Sequence, residues 1–370
     1  RLRASYGYNG NVDNRVTALP SGRVFPGSIN FFTYLPFTRI DYPGNPELRW
    51  ERIKIVNLGI DFNLLDDRVS GTLEGYFKRG LDIIGDYSIP SSTGFGALRG
   101  NYANTQTNGL DLNLTSRNIR GKFNWSTVLL LSHIREKVTK YERMGLTNDY
   151  LTPGLSTVTP FEGRPMTGIY SYGWAGLDPQ TGDPQGYLNG EVSSDYSAII
   201  GNTLPEDLIY HGSGRPTWFG AIRNEFGYKA FSVSANITFR LGYYFRRTSV
   251  AYGSLLTGNI THSDYHSRWQ NPGDELITQI PSMPARRNAN RDAFYRSSSA
   301  LIERGDHIRF QDLRFAYRPQ RITGLWKNSE FFLYVNNLGI IWKATDEVDD
   351  PDYIPLTPAR NYAVGFRLNL

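Results

Sequence analysis

The sequence predicts an all-β protein: the wall of an antiparallel transmembrane β-barrel of about ten strands, with short turns at one rim and long loops at the other. Three observations lead there. Apolar side chains recur at every second position over long segments, short and long connections alternate along the chain, and 14 % of the residues are aromatic. Such rings suit the interface girdles of a barrel. No stretch approaches the roughly 20 consecutive apolar residues that a spanning helix needs, and Val128 to Leu131 is far too short. A chain that is 39 % hydrophobic and 20 % charged, with a mean hydropathy of -0.43, can still cross a bilayer, because only alternate strand residues face lipid.

The strands follow in order. Arg1 to Tyr8 opens the chain and reads as starting within a strand, so the chain is expected to be a piece of a longer wall. Val56, Leu58, Ile60 and Phe62 alternate with polar neighbours, as do Val69, Leu73 and Phe77, and then Leu110, Leu112 and Leu114. Lys122 to His133 and Thr217 to Tyr228 supply two more strands. From Ala230 the pattern is clearest: Phe231, Val233, Ala235, Ile237, Phe239, Leu241, Tyr243 and Phe245 share one side, and Ser232, Ser234, Asn236, Thr238 and Arg240 the other. A period of two belongs to a strand, since a helix would place apolar residues three and four apart. In His307 to Tyr317 the phase slips, which predicts a β-bulge at Gln311 or Asp312. Phe331, Leu333 and Val335, then Tyr362, Val364, Phe366, Leu368 and Leu370, complete the set.

The connections fall into two classes. Asn63 to Arg68, Ser116 to Gly121, Gly227 to Lys229 and Pro319 to Ser329 are expected to be short. Asn9 to Arg49, Arg79 to Thr105, Ile134 to Pro216, Arg246 to Asp306 and Leu338 to Ala359 are expected to be long. Bacterial outer-membrane barrels put tight turns on the periplasmic rim and long loops outside. An open sheet in lipid would leave two edges whose backbone groups have no water to bond, so further strands are expected to complete the wall.

The stretch NPELRWERIKIVNLGIDFNLLDDRVSGTLEGYFKRGLDII resembles the hallmark segment of SusC/RagA-type TonB-dependent transporters. Asn45, Pro46, Leu48, Trp50, Glu51, Asn57, Gly59, Asp61, Phe62, Arg68, Ser70, Gly71, Tyr76, Lys78, Asp82 and Ile83 carry the likeness. NTQTNGLDLNL, GLDPQTGDPQGY, WQNPGDE, DHIRFQDLRFAY and LYVNNLG follow in the family's order, so the resemblance spans nearly the whole chain. Two positions depart from the pattern: Leu370 where the family often ends in an aromatic residue, and His307 where it usually has Tyr. The resemblance implies the C-terminal portion, residues 1–370, of one receptor barrel of the roughly 22-stranded plugged type, with the plug and front strands outside this chain. It further implies import of oligosaccharides or peptides across the bacterial outer membrane. The partners would be a SusD-like surface lipoprotein, the TonB complex acting through the plug, the remaining strands of the same barrel and outer-membrane lipid. Asn45, Pro46, Trp50, Glu51, Asn57, Gly59, Asp61, Phe62, Arg68 and Gly71 would be structural.

Other functions find little support in the residues. Cysteine is absent, which removes thiolate metal sites and cysteine nucleophiles. The net charge of +5 is scattered among acids, without the clustered basic footprint of a nucleic-acid binder. His133, His211, His262, His266 and His307 form no HExxH or zinc spacing, and no glycine-rich phosphate loop occurs, so neither cofactor nor catalytic residue is expected. Asp264 between His262 and His266 reads as a solvated loop. The run Asp346, Glu347, Asp349, Asp350 and Asp352 lacks the spacing of an EF-hand, leaving Asp346, Asp349 and Asp350 as weak calcium candidates. Asp178 and Asp183 fit Asx-turns. The loop aromatics Tyr170, Tyr172, Trp174, Trp269 and Trp342 are the candidate cargo contacts, set against simple packing among the loops. Trp50, Trp125 and Trp218 fit interfacial anchors. A self-contained barrel enzyme and a secreted all-β carbohydrate-binding protein are the alternatives.

Overall fold

The computed structural model describes all residues except 12–18, 142–144, 152–158, 259–261, 320–328, 354–355 and 369–370, and leaves aside the side chains at 25–28, 86–88, 91 and 97. The expected short connection after Pro319 and the closing Leu370 therefore lie outside the described residues. Within them one antiparallel sheet of ten strands dominates, and every neighbour is the next wall strand in sequence. These strands are β1 (Leu2–Asn11), β2 (Glu51–Leu64), β3 (Val69–Ser88), β4 (Ala97–Ile119), β5 (Phe123–Tyr141), β6 (Trp218–Tyr228), β7 (Phe231–Leu241), β8 (His307–Tyr317), β9 (Ser329–Lys343) and β10 (Asn361–Leu368). No helix of the described residues is long and apolar enough to cross a membrane.

The register turns strand-by-strand alternation into two continuous faces. Leu2, Ile60, Leu73, Leu112, Leu131, Gly220, Phe239, Ile308 and Trp342 pair in succession across β1 to β9, forming an apolar row. One residue along each strand, Arg3, Gly59, Glu74, Asp111, Ser132, Phe219, Arg240, His307 and Lys343 pair in the same order. That row is polar except at Gly59 and Phe219. Side chains one residue apart point to opposite faces, so the two rows are the two sides of one wall. On the apolar face Leu58, Ile60, Phe77, Phe231, Phe315, Leu333 and Phe366 remain 41–61 % exposed, and the remaining sheets among the described residues have only two or three strands. A β-sandwich would bury that face against a second sheet. The polar group of Asn224 on this face is satisfied by Trp125 Nε1 and the Thr127 hydroxyl, at 3.0 and 2.7 Å.

Cross-strand ion pairs knit the other face. Arg3 meets Asp61 at 3.0 Å, Arg223 meets Asp312 at 3.3 Å, and Arg314 pairs with Glu330. Gln311 bulges out between Phe310 and Asp312, because Asn236 and Ile237 pair with the residues on either side of it. The expected bulge is therefore at Gln311.

Strand ends at two sites depart most from the sequence reading, and β5 and β9 also run on, to Tyr141 and Lys343, past the expected loop starts at Ile134 and Leu338. β3 and β4 run about ten residues past the expected start of their loop and pair up to Ser88 and Ala97, so the connection shrinks to residues 89–96. Asp82 at φ 57° and register shifts between Gly80 and Ile84 break the alternation that would have revealed this ladder. At the other site β7 stops at Leu241, where Gly242 turns the chain at φ 75°. Tyr243, expected on the apolar face, is buried beneath the loops. Phe245 belongs to a separate short strand, Tyr244–Arg246.

The dry cores lie in the loops. The described residues of 145–217 and 242–306 fold together around two clusters, one holding Tyr150, Leu151, Tyr196, Ile199, Leu208 and Phe294, the other Val250, Tyr252, Ile280, Tyr295 and Leu301. They form a packed cap at the long-loop rim.

Candidate functional site

Below the cap, the polar face carries a cavity of about 350 Å³ lined by Leu130, Ser132, Phe219, Thr238, Arg240, Arg309, Asp352 and Tyr353. β5 to β8 contribute the wall side. The connection between β9 and β10 supplies Asp352 and Tyr353, folding back as a hook onto the strand tops. Alternation explains the wall residues: Ser132, Phe219, Arg240 and His307 are consecutive members of the polar row, and Arg309 sits two residues beyond His307 on the same face.

Charge pairing holds the hook. One nitrogen of the Arg309 guanidinium donates to both Asp350 carboxylate oxygens, at 2.6 and 2.7 Å, and both residues are about 95 % buried, with 4 % exposed each. Asp352 receives Arg240 at 2.9 Å, His307 Nε2 at 3.2 Å and the Tyr243 hydroxyl at 3.2 Å. Burial alone would raise the Asp352 carboxyl, but the hydrogen bond and charge of His307, with Arg240 beside it, hold it below the usual range. Burial and the adjacent Asp352 push the Tyr243 hydroxyl upward, so it remains a donor. The Tyr353 ring lies 5.6 Å from the Arg309 guanidinium, within cation–π reach. A second cleft of about 750 Å³ lies between the top of β9 and the hook, with Lys343, Asp346, Asp349 and Arg360 on its walls. Cations, carboxylates and rings in this arrangement can bind and orient a polar solute.

The five nominated aromatics part company. Tyr170 and Tyr172 are 4 % exposed within the first cap cluster. Trp174 is partly buried and bridges both clusters, its ring 6.4 Å from that of Phe294 and 5.9 Å from that of Tyr295. Trp269 is 7 % exposed, with Nε1 donating to Glu275 at 3.1 Å. Trp342 stands apart: the sequence places it in a loop, but it lies inside β9 on the apolar face, opposite Ile308.

The motif residues lie in and beside β1 to β4. Asn45 Nδ2 donates to the Arg99 carbonyl at 3.0 Å, next to Pro46. Glu51 accepts from Asn11 Nδ2 and from the Ile84 amide, at 2.7 and 2.8 Å. Asn57 donates to Glu74 at 2.8 Å, and Asp61 takes Arg3 and Thr72 at 3.0 and 3.1 Å. Gly59 makes room for the Arg3 guanidinium, and Phe62 packs over Gly71. Arg68 closes the first short turn through its backbone, while Trp50 remains exposed beside Gly10.

Asp264 belongs less to its histidine neighbours than to Arg247, 2.7 Å away, and Ser249, 2.5 Å away. Asp178 accepts from the Gln180 and Thr181 amides at 2.9 Å as an Asx-turn, whereas Asp183 pairs with the buried Arg291 at 2.7 Å. Among the described residues no three His, Asp or Glu side chains converge as a metal site, and Asp350 is occupied by Arg309. Sequence reasoning missed Phe219, Arg240, Tyr243, Arg309 and Tyr353. The available signal was an arginine in the polar phase near the end of two strands, facing an acid-rich connection farther along.

No family model matches the chain. It is 27 % identical over 373 residues to the TonB-dependent receptor P26 of Formosa agariphila, covering 92 % of this chain and 35 % of that protein. A shorter likeness, 29 % over 98 residues, covers 26 % of this chain and 10 % of the TonB-dependent receptor SusC of Bacteroides thetaiotaomicron. Among solved structures the RagAB peptide transporter superposes with a TM-score of 0.75 at 20 % identity, over 99 % of this chain and 40 % of that one. The chain thus spans about a third of the length of the curated receptors it matches along most of its length. Its ten strands are wall strands of an outer-membrane β-barrel, with the long loops extracellular, and its likeness is to receptors and transporters of the SusC/RagA type, not to enzymes.

Proposed function

We propose that this chain is the C-terminal portion of the wall of a SusC-like TonB-dependent transporter that imports oligosaccharides or peptides across the outer membrane. A SusD-like lipoprotein would sit over the extracellular cap, and the TonB complex would act through a plug carried elsewhere in the same protein. The reading is supported chiefly by the paired rows of the sheet. An apolar row suits lipid, the polar row behind it suits a hydrated lumen, and β1 and β10 each keep an unpaired edge in the described sheet, where further strands would close the barrel. Within the lumen, Phe219, Arg240 and Tyr353 are the surfaces offered to cargo. Tyr170, Tyr172, Trp174 and Trp269 act through the shape of the cap, and Trp342 through the lipid interface. The secreted carbohydrate-binding alternative would require covering an apolar face that extends across the sheet.

Uptake tests this. Cells carrying or lacking the gene are supplied with fluorescent oligosaccharides and with fluorescent peptides, with and without a protonophore. Import of one class that requires the gene and stops with the protonophore is expected. Equal uptake of both classes by the deletion strain refutes it.

A further inference from the structure

The cations at the top of the polar face differ from those below in where their partners come from. Arg3, Arg223 and Arg314 pair with acids of other wall strands. Arg240 and Arg309, among the described residues, meet carboxylates only from the hook: Asp352 at 2.9 Å and Asp350 at 2.6 Å. His307, directly opposite Arg240 in the sheet, also meets Asp352. The wall therefore presents three nitrogen-bearing side chains in one place, and the hook fills the seat between them with its own anions.

We propose that Arg240, His307 and Arg309 form an anion-binding subsite of the lumen wall, for a carboxylate or sulfate group, and that Asp350 and Asp352 occupy it as a built-in competitor. The hook has the form of a ligand. Its two carboxylates lie on one turn, with the Asp352 amide donating to Asp350 at 3.0 Å, and Tyr353 adds a ring inside the same cavity. Exchange is selective for a physical reason. Withdrawing the hook with nothing in its place would leave a buried guanidinium without a carboxylate, which is strongly unfavourable, whereas an incoming anion restores the pairing as the hook departs. A neutral solute offers no such compensation, so it leaves the hook seated. The meaning of this subsite for cargo rests on the import reading above. The exchange itself does not.

Leu356, 83 % exposed on the hook, is a suitable place for a reporter, because the chain contains no cysteine. Leu356→Cys is introduced into the full-length protein in detergent, labelled with a nitroxide, and titrated with sodium sulfate against sodium chloride at matched ionic strength. Sulfate is expected to mobilise the label saturably, at roughly a tenth of the ionic strength at which chloride screening acts. Asp350→Asn with Asp352→Asn should be mobile without sulfate. Arg240→Gln with Arg309→Gln should be mobile and indifferent to it, and the milder Arg240→Lys should keep a sulfate response at a higher midpoint. Each variant is first shown to keep the heat-modifiable gel mobility of a folded barrel. Identical action of sulfate and chloride, or an immobile label in the doubly amidated hook, overturns the subsite whatever the uptake assay shows. A sulfate response without energy-dependent uptake overturns the import reading alone.

Discussion

Arginine at Leu112 should unfold this barrel far more readily than arginine one face away. Leu112 lies between Leu73 and Leu131 in the apolar row, seven residues before β4 ends at the short-turn rim. At about 3.3 Å per residue and a tilt near 40°, that places it roughly 18 Å above the rim, inside an apolar band about 25 Å tall. A cationic side chain near the middle of that band costs about 2–4 kcal/mol, falling to about 0–1 kcal/mol at the interface. The larger cost corresponds to a roughly 30- to 1000-fold shift in the folding equilibrium. Leu64→Arg, at the rim end of β2, provides the interfacial control. Ser132→Arg provides the lumen control: Ser132 bonds Asp111 at 2.6 Å and borders the cavity, so an arginine there finds both a carboxylate and space. Urea unfolding of the protein in lipid vesicles, followed by tryptophan fluorescence, reads the three costs. The order Leu112→Arg, then Leu64→Arg, then Ser132→Arg is expected. A Ser132→Arg penalty equal to that of Leu112→Arg would mean that the apolar face does not meet lipid.

Gly71→Ala should destabilise the wall by about 1–3 kcal/mol, because its Cβ would overlap the Asn113 carbonyl oxygen and stand 3.0 Å from the Phe62 ring. The same urea titration checks it, and an unchanged midpoint contradicts the packing. Phe294→Ala, removing a fully buried ring that touches Tyr172, Trp174 and Tyr196, should cost the cap about 3–5 kcal/mol. Hydrogen exchange should accelerate across 168–213 and 289–301 while β2 to β6 keep their protection. Equal acceleration in the wall would show that cap and wall unfold as one unit.

The strands were legible because their evidence is local. Phe231 to Leu241 alternates without interruption, and the lost beat at Gln311 announces a bulge in the one strand that has one at the expected place. Legibility failed where the ladder departs from a period of two. The upper parts of β3 and β4 contain Asp82 in a left-handed conformation, and only partner pairing identifies them as strand. Tyr243 and Phe245 continued the alternation on paper, yet Gly242 turns the chain out of the sheet. The loop aromatics posed a different difficulty. Irregular backbone has no face, so nothing in IYSYGWAG distinguishes rings that line a vestibule from rings that pack a cap.

What the sequence determined by itself was the phase of each wall strand, and with it one greasy side, one polar side and the rim that bears the excursions. That follows from the geometry of an extended chain, in which each residue's side is set by its immediate neighbours. The pairing of Arg309 with Asp350, 41 residues away, and of Arg240 with Asp352 was decided only by the tertiary structure. A charge can be seated beside any opposite charge that the paired strands and folded loops bring within reach, and no spacing rule along the chain encodes that proximity.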